Sequence, residues 1–176
     1  MKYLLFITMV SSVFLNQKNI IDERKTQITE LEKTLEFDKK INYSFEHLEG
    51  ETSYFMNKDK SKKRILMIWD RGSYGKSERE YYIISNQLIY FRNLEYEWIG
   101  NDASNYSLSE NIYYFSDDKT GLKTSQDLKT IGENLKEEDR ESLGLSQVNT
   151  SEIDSTDYNR IVDNLKQFEA EQIQGE

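Results

Sequence analysis

Residues 81–91 read YYIISNQLIYF and predict a β-hairpin. Two runs rich in aromatic and β-branched side chains flank the short polar segment Ser85-Asn86-Gln87. Asparagine tolerates the positive φ angles that tight hairpin turns require. Neighbouring side chains of a strand point to opposite faces, so both faces of this hairpin carry apolar or aromatic groups. One face is expected to pack on helices, and the other either lies beneath a second helix or presents its rings to a ligand.

Segments of similar composition recur between residues 51 and 116, and turn-forming residues separate them. The predicted strands are Glu51–Asn57, Lys63–Trp69, Glu78–Ser85, Leu88–Arg92 and Asn111–Ser116, and Glu95–Ile99 either extends the fourth strand or forms another. Strands joined by tight turns predict an antiparallel meander. An acidic residue, an aromatic pair, a turn and an aliphatic residue recur around Tyr54, Tyr82 and Tyr114, which suggests three hairpins of one type.

A helix is predicted on the N-terminal side of the meander, over Ile20–Ile41. Its aliphatic side chains recur at helical spacing and share one side: Ile21, Ile28, Leu31 and Leu35. Glu36 and Lys40 would form a favourable i,i+4 ion pair on this helix.

A second helix is predicted over Asp154–Gln174, where Asp154 or Ser155 can cap the first turn. Its apolar stripe consists of Tyr158, Ile161, Val162, Leu165 and Phe168. A short helix is also suggested around Leu128, Ile131 and Leu135. The expected fold class is therefore α+β, with an antiparallel meander of five or six strands packed against an N-terminal helix and a C-terminal helix.

The first seventeen residues have the layout of a secretory signal. Lys2 precedes the mostly apolar run Tyr3–Leu15, and the chain turns polar after Asn16. The run is shorter than the roughly 20 residues that span a bilayer, and a buried strand or an uncleaved anchor are its alternative interpretations. We expect a signal peptide at 1–17, a helix-and-sheet domain at 18–126, and an acidic segment at 127–176 that ends in the amphipathic helix.

The order of a signal, a charged helix and repeated hairpins resembles small secreted bacterial proteins built as a β-meander on a helix. The resemblance covers Ile20–Gln126 and is carried by the Tyr-Tyr or Tyr-Phe pair before each turn. Turns in such proteins usually contain Asn-Gly, where this chain has Asn86-Gln87. The signal layout predicts a periplasmic or extracellular location, and the resemblance implies no activity and no functional residues.

Composition excludes several kinds of chemistry. The 176 residues include no cysteine, so neither disulfides nor thiolate chemistry is available. The net charge is −9, and 12 of the 32 acidic residues but only 4 of the 23 basic residues follow Gly132. An acidic balance disfavours nucleic acid as a partner, because binding there depends on neutralising phosphates.

No catalytic or metal-binding residues are predicted, and no cofactor is expected. His47 is the single histidine, which is too few for a histidine-rich zinc site. Asp117 and Asp118 lack the spacing of a calcium loop and are expected to shape a turn. The basic residues clustered between Lys58 and Arg64 are expected to be solvated at a hairpin tip, with an anionic lipid surface as the alternative partner.

The aromatic sheet positions give the functional hypothesis. We predict an exported, non-enzymatic binding protein whose partner is a glycan, a peptide or another protein, and which contacts a membrane only through residues 1–17 if they stay attached. The predicted ligand-binding residues are Tyr82, Tyr90, Trp98 and Tyr114. One alternative is a hydrolase of an envelope or extracellular polymer that uses two carboxylates about 5 to 10 Å apart. Another is a protein inhibitor or immunity factor whose acidic segment from Glu133 imitates an anionic surface.

Overall fold

A single antiparallel sheet lies between two helices in this computed structural model, which describes residues 19–45, 48–72, 75–98, 105–131 and 148–174. Over these residues the strands are β1 (Glu36–Phe45), β2 (Leu48–Met56), β3 (Lys62–Asp70), β4 (Gly75–Ile84), β5 (Gln87–Trp98), β6 (Asn105–Phe115), β7 (Gly121–Ile131) and β8 (Asn149–Ile153). Helix α1 spans residues 19–32, and helix α2 spans Ser155–Gln174. The strand order is β1 to β8, which confirms the meander and raises its strand count from five or six to eight. The predicted signal peptide, 1–17, lies outside these ranges.

The hairpin predicted over residues 81–91 is formed by β4 and β5. Ser85 and Asn86 make its two-residue turn with φ angles of 49° and 66°. Such positive φ values at both central positions match the right-handed twist of the flanking strands. Tyr82 lies opposite Tyr90, and the register then shifts so that Ile83 lies opposite Leu88.

Two of the three predicted hairpins have turns with the same hydrogen-bond pattern. In the β2–β3 turn, Asp59 accepts hydrogen bonds from the Ser61 amide at 2.9 Å and the Ser61 hydroxyl at 2.6 Å. In the β6–β7 turn, Asp118 accepts the same pair of bonds from Thr120 at 3.1 and 2.7 Å. Lys60 and Lys119, between these partners, both have positive φ angles, of 59° and 67°. The β4–β5 turn is tighter, so the three hairpins are not of one type.

The N-terminal helix ends earlier than predicted. Residues 19–32 are helical, but Glu36–Phe45 forms β1 and pairs with β2. Lys40 consequently forms its ion pair with Glu51 of the neighbouring strand, and the predicted helical pair with Glu36 is absent among the described contacts. The alternation of Ile41 and Tyr43 with polar neighbours satisfies a strand, and pairing with β2 outweighs the local helical preference.

The short helix suggested around residues 128–135 is also wrong for the part that the structure describes. Gly121–Ile131 is strand β7, and the hydroxyl of Ser125 donates to Asn111 Oδ1 of β6 at 2.9 Å. The C-terminal helix is confirmed, and Asp154 caps it by accepting hydrogen bonds from the amides of Thr156 and Asp157 at 2.8 and 3.3 Å.

The sheet separates two apolar layers, and a helix packs on each. The layer between α2 and the sheet, with residues from both, contains Tyr54, Ile65, Met67, Tyr81, Leu88, Phe91, Tyr113, Phe115, Ile153, Tyr158, Ile161 and Leu165. The layer between α1 and the sheet contains Leu31, Tyr82, Ile89, Tyr90 and Tyr114. The interpretation in which helices cover both faces is thereby confirmed. Strand β7 runs through position 126, the predicted domain boundary, and α2 shares its apolar layer with the strands that precede that position.

A buried arginine attaches α1 to one end of the sheet. Arg24 Nε donates to the carbonyl oxygen of Phe115 at 2.5 Å, and its Nη2 lies 2.8 Å from Asp117 Oδ1. A buried charge is tolerated only when it is paired and hydrogen-bonded, as it is here. The position of α1 over the tyrosines of β4, β5 and β6 is fixed by this contact together with its apolar side chains.

Candidate functional site

The predicted aromatic residues of β4, β5 and β6 lie side by side under α1. The ring centres of Tyr82 and Tyr90 are 5.5 Å apart, as are those of Tyr90 and Tyr114. These three residues are only 2%, 9% and 4% exposed, because α1 covers them. A ligand would reach them only after α1 moved away. Trp98 ends β5, and its side chain lies outside the described part of the chain.

Burial also keeps the hydroxyl groups of these tyrosines protonated. It raises the pKa of Tyr82 and of Tyr90, and it raises the pKa of Tyr114 to about 12. The neutral Tyr82 hydroxyl donates to the Glu32 carboxylate of α1 at 2.6 Å. Within the structure these tyrosines therefore serve as core residues that hold α1 on the sheet.

A different group of side chains surrounds a cleft of about 160 Å³ on the opposite face, between α2 and the sheet. At roughly 30 Å³ per water molecule, this volume is equivalent to about five waters. The lining residues come from three strands and one helix: Arg79 and Tyr81 of β4, Phe91 and Asn93 of β5, Asn111 and Tyr113 of β6, and Arg160, Ile161 and Asn164 of α2.

Strand register assembles the floor of the cleft into two parallel rows. Tyr81, Phe91 and Tyr113 are consecutive cross-strand partners, with ring centres 4.8 and 5.5 Å apart. The next row on the same face follows two residues along each strand and consists of Arg79, Asn93 and Asn111. An aromatic strip and a polar strip thus lie next to each other beneath the helix.

Helix α2 forms the roof, and its position is fixed at both ends. Near its start, the Tyr158 hydroxyl accepts a hydrogen bond from the Leu88 amide at 3.1 Å. Further along, Phe168 packs edge-on against Tyr43 and Trp69, with ring centres 5.6 and 5.7 Å apart. Contacts at both ends hold the middle of α2, which carries Arg160 and Asn164, over the two rows.

Arg79 has an unusual environment within this cleft. Its Nε donates to Asn93 Oδ1 at 3.1 Å, it hydrogen-bonds the Tyr81 hydroxyl, and its guanidinium carbon lies 5.0 Å from the centre of the Trp69 ring. No carboxylate pairs with it among the residues that the structure describes. Burial raises the pKa of Tyr81, so that hydroxyl stays protonated beside the guanidinium.

The cleft is suited to binding polar groups, since its described lining contains guanidinium, amide and phenol groups but no carboxylate. Neither an acid–base pair nor a carboxylate metal site can be assembled from those residues. Across the described ranges, no group of three or more His, Asp or Glu residues is arranged to hold a metal ion. His47 lies outside those ranges.

A second cavity, of about 500 Å³, lies at the β1–β3 side of the sheet. Its acidic lining residues are Glu49, Glu51 and Asp70. Glu49 and Asp70 are direct cross-strand partners and so point to the same face, while Glu51 is ion-paired with Lys40. This cavity, called the acidic notch below, brings together two carboxylates that the predicted hydrolase could use.

Of the basic and acidic segments noted in the sequence, the structure describes the basic one. Lys58 and Lys60 are exposed in the β2–β3 turn, as expected, whereas Arg64 is ion-paired with Glu80 at 2.6 Å. The acidic run after Glu133 falls in 132–147, outside the described ranges, so the inhibitor hypothesis stays a prediction.

No protein-family model, no curated protein and no solved structure matches this chain. Neither of the two helices in the described part of the chain has the length and apolar character needed to cross a membrane.

The residues of the cleft were missed by sequence reasoning, although a signal for them exists. Each floor strand carries a polar and an aromatic residue two positions apart: Arg79 and Tyr81, Phe91 and Asn93, Asn111 and Tyr113. Residues two apart share a strand face, and hairpin register brings the three pairs into line.

Proposed function

We propose that this protein is an exported, non-enzymatic binding protein that holds a small polar ligand in the cleft between α2 and the sheet. The observation that carries the proposal is the pair of rows on its floor. Tyr81, Phe91 and Tyr113 offer an apolar strip, and the polar strip beside it offers hydrogen-bonding groups at the same depth. Ligand sites in proteins commonly combine an apolar lining with a few convergent polar groups.

The volume of the cleft limits the ligand. About 160 Å³ admits a small molecule or one residue of a glycan or peptide, and it is too small for a folded partner. The amides of Asn93, Asn111 and Asn164 can each donate and accept, which suits a ligand with several hydroxyl or carbonyl groups. Export is supported by the layout of residues 1–17. N-terminal sequencing of the protein purified from its host tests it: a protein found only inside the cells and beginning at Met1 contradicts export.

Blocking the cleft tests the binding proposal. Both Asn159 and Asn164 are exposed on α2, but Asn164 lines the cleft and Asn159 does not, so Asn164→Trp puts a large ring at the cleft and Asn159→Trp is the matched control. The protein is secreted from its host, purified under native conditions and weighed by native mass spectrometry. We expect a small-molecule adduct on the wild type and on Asn159→Trp, and its loss from Asn164→Trp. An adduct that survives in Asn164→Trp overturns the assignment of the cleft.

A second candidate function is hydrolysis in the acidic notch, and the register of Glu49 and Asp70 favours it. Directly opposed residues have Cβ atoms about 4.5–5.5 Å apart, so their carboxyl groups can stand within the roughly 5 to 10 Å that glycoside hydrolysis uses. Release of reducing ends from purified peptidoglycan is the assay. A hydrolase would lose this activity in Glu49→Gln and in Asp70→Asn but keep it in the exposed control Glu97→Gln. A wild-type protein that releases no reducing ends removes this candidate.

A further inference from the structure

We propose that the ligand of the cleft is a small anion, and that Arg79 binds its carboxylate or phosphate group with Arg160 as the second cation. This inference rests on the proposed binding function and specifies the chemistry of the ligand. Both arginines line the same cleft, Arg79 from β4 and Arg160 from α2.

Carboxylates neutralise the other arginines of the described ranges. Each of the remaining five in the described ranges lies 2.6 to 3.2 Å from a carboxylate oxygen. The pairs are Arg24–Asp117, Arg64–Glu80, Arg71–Glu95, Arg92–Glu110 and Arg160–Asp157. Arg79 alone among the described arginines has neutral partners only, namely Asn93, Tyr81 and the Trp69 ring.

The position of Arg79 makes this difference meaningful. The residue is partly buried beneath α2, where a charge without a counter-charge is costly. The chain carries 32 acidic residues, yet none of those that the structure describes forms an ion pair with Arg79. An anion entering the cleft would provide the missing counter-charge, and the planar guanidinium fork suits a carboxylate or a phosphate.

The other lining groups support an anion as well. Arg160 Nη2 is 2.7 Å from Asp157 Oδ1, and its side chain also hydrogen-bonds Tyr113, which keeps it at the mouth of the cleft. The amides of Asn111 and Asn164 add neutral donors. Asp157 balances the charge of Arg160, so the unbalanced positive charge of the cleft is that of Arg79, and it favours a small anion over the neutral analogue of the same shape.

A matched pair of ligands isolates the charge. Glucuronate and glucose share a sugar ring and differ at one carbon, where the former carries a carboxylate. Each probe, and inorganic phosphate, is titrated into ¹⁵N-labelled protein while the side-chain amide signals of Asn93, Asn111 and Asn164 are followed by NMR. We expect glucuronate and phosphate to shift these signals, and glucose to bind at least tenfold more weakly than glucuronate.

Variants assign the effect to Arg79. Arg79→Gln is expected to weaken glucuronate binding at least tenfold, equivalent to about 1.4 kcal/mol, and Arg160→Gln is expected to weaken it less. Lys166→Gln removes one positive charge from an exposed position of α2 and is expected to leave the affinity within twofold. If Arg79→Gln fails to fold, Asn111→Asp keeps the acceptor for the Ser125 hydroxyl while adding a negative charge to the floor, and it is expected to abolish anion binding.

The outcomes separate this inference from the function on which it rests. Glucose binding as tightly as glucuronate, with Arg79→Gln unaffected, overturns the anion inference and leaves a binding cleft in place. No shift of the cleft signals with glucuronate or phosphate also overturns the inference, and the adduct experiment with Asn164→Trp then decides separately whether the cleft binds anything.

Discussion

The hydroxyl of Tyr82 in β4 donates a hydrogen bond to the Glu32 carboxylate of α1 at 2.6 Å and so links two residues that are 50 positions apart in sequence. The same hydroxyl lies 3.3 Å from Glu80 Oε1, and the guanidinium carbon of Arg64 lies 5.8 Å from the centre of the Tyr82 ring. The contact joins the layer of buried tyrosines to the helix that covers it.

Removing that hydroxyl is expected to weaken the attachment of α1. Tyr82→Phe keeps the buried ring and loses a hydrogen bond to a charged acceptor, worth about 1.5–3 kcal/mol. Because Glu32 is exposed and can turn to water, we expect a loss in the free energy of unfolding near the lower end of that range. Urea denaturation followed by circular dichroism measures it. A variant as stable as the wild type would show that the bond contributes nothing net.

The apolar contact of α1 is expected to matter more. Leu31 is 1% exposed and packs against Tyr82, Ile89, Tyr90 and Tyr114. Leu31→Ala removes these contacts and leaves a cavity, which costs about 2–5 kcal/mol of unfolding free energy. Val148→Ala shortens a side chain that is 54% exposed and serves as the control, with an expected change within about 0.5 kcal/mol. Equal losses in the two variants would contradict the placement of α1.

Glu169 of α2 is expected to make stability depend on pH. Burial raises the pKa of its carboxyl group, although Lys63 and Lys39 oppose the shift. A carboxyl with a higher pKa in the folded state holds its proton more tightly there, so its contribution to stability falls as pH rises above the unfolded value of about 4.3.

Glu169→Gln removes this penalty. We expect the variant to melt at a higher temperature than the wild type at pH 7, and the difference to vanish near pH 4. Glu171→Gln, at an exposed position of the same helix, is the control. A melting-temperature difference that is the same at both pH values would argue against a raised pKa.

Asp118 is expected to have the opposite pH dependence. Hydrogen bonds from Ser116 and Thr120 lower the pKa of its carboxyl group to about 2. A lowered pKa stabilises the fold above the unfolded value of about 3.9, and this contribution is lost as pH falls towards 2. Asp118→Asn should therefore melt at a lower temperature than the wild type at pH 7, and the two curves should converge near pH 2.

The matching turn offers a replicate of that experiment. Hydrogen bonds from Ser61 and Asn57 lower the pKa of Asp59 in the same way, so Asp59→Asn is expected to behave alike. Curves that stay parallel down to pH 2 in both variants would show that these carboxylates do not stabilise their turns.

The hairpin of residues 81–91 could be predicted because its information is local. A two-residue turn containing Asn86, with β-branched and aromatic residues on both sides, satisfies the turn and the strands at once. The C-terminal helix was predictable for the same reason, since Asp154 supplies the cap directly before the apolar stripe.

Strands β1 and β7 were missed because their evidence is not local. Lys123 and Gln126 of β7 carry no strand signal of their own, and β7 exists because it pairs with β6 on one side and β8 on the other. Similarly, Glu36 and Lys40 suit a helix in isolation, but Lys40 of β1 forms an ion pair with Glu51 of the neighbouring strand β2. Tertiary pairing outweighs propensity in both places.

Three of the predicted ligand-binding residues, Tyr82, Tyr90 and Tyr114, lie on the face of the sheet opposite the cleft proposed here. Tyr82 and Tyr81 are adjacent in sequence, yet one lies under α1 and the other on the floor of the cleft. Composition marked this strand as aromatic but could not say which face would be left with a cavity. That depends on how α2 is seated by Tyr158 and Phe168, which only the assembled fold determines.

The neighbour-to-neighbour order of the strands has a kinetic consequence. Because β1 to β7 pair in sequence order across short connections, each of these strands needs only a short loop closure before it can add to the growing edge, whereas residues 132–148 separate β7 from β8. Sheets with distant pairings fold slowly, whereas in this chain strands can be added on both sides of whichever hairpin forms first. Stopped-flow refolding should accordingly be fast for an all-antiparallel sheet of this size.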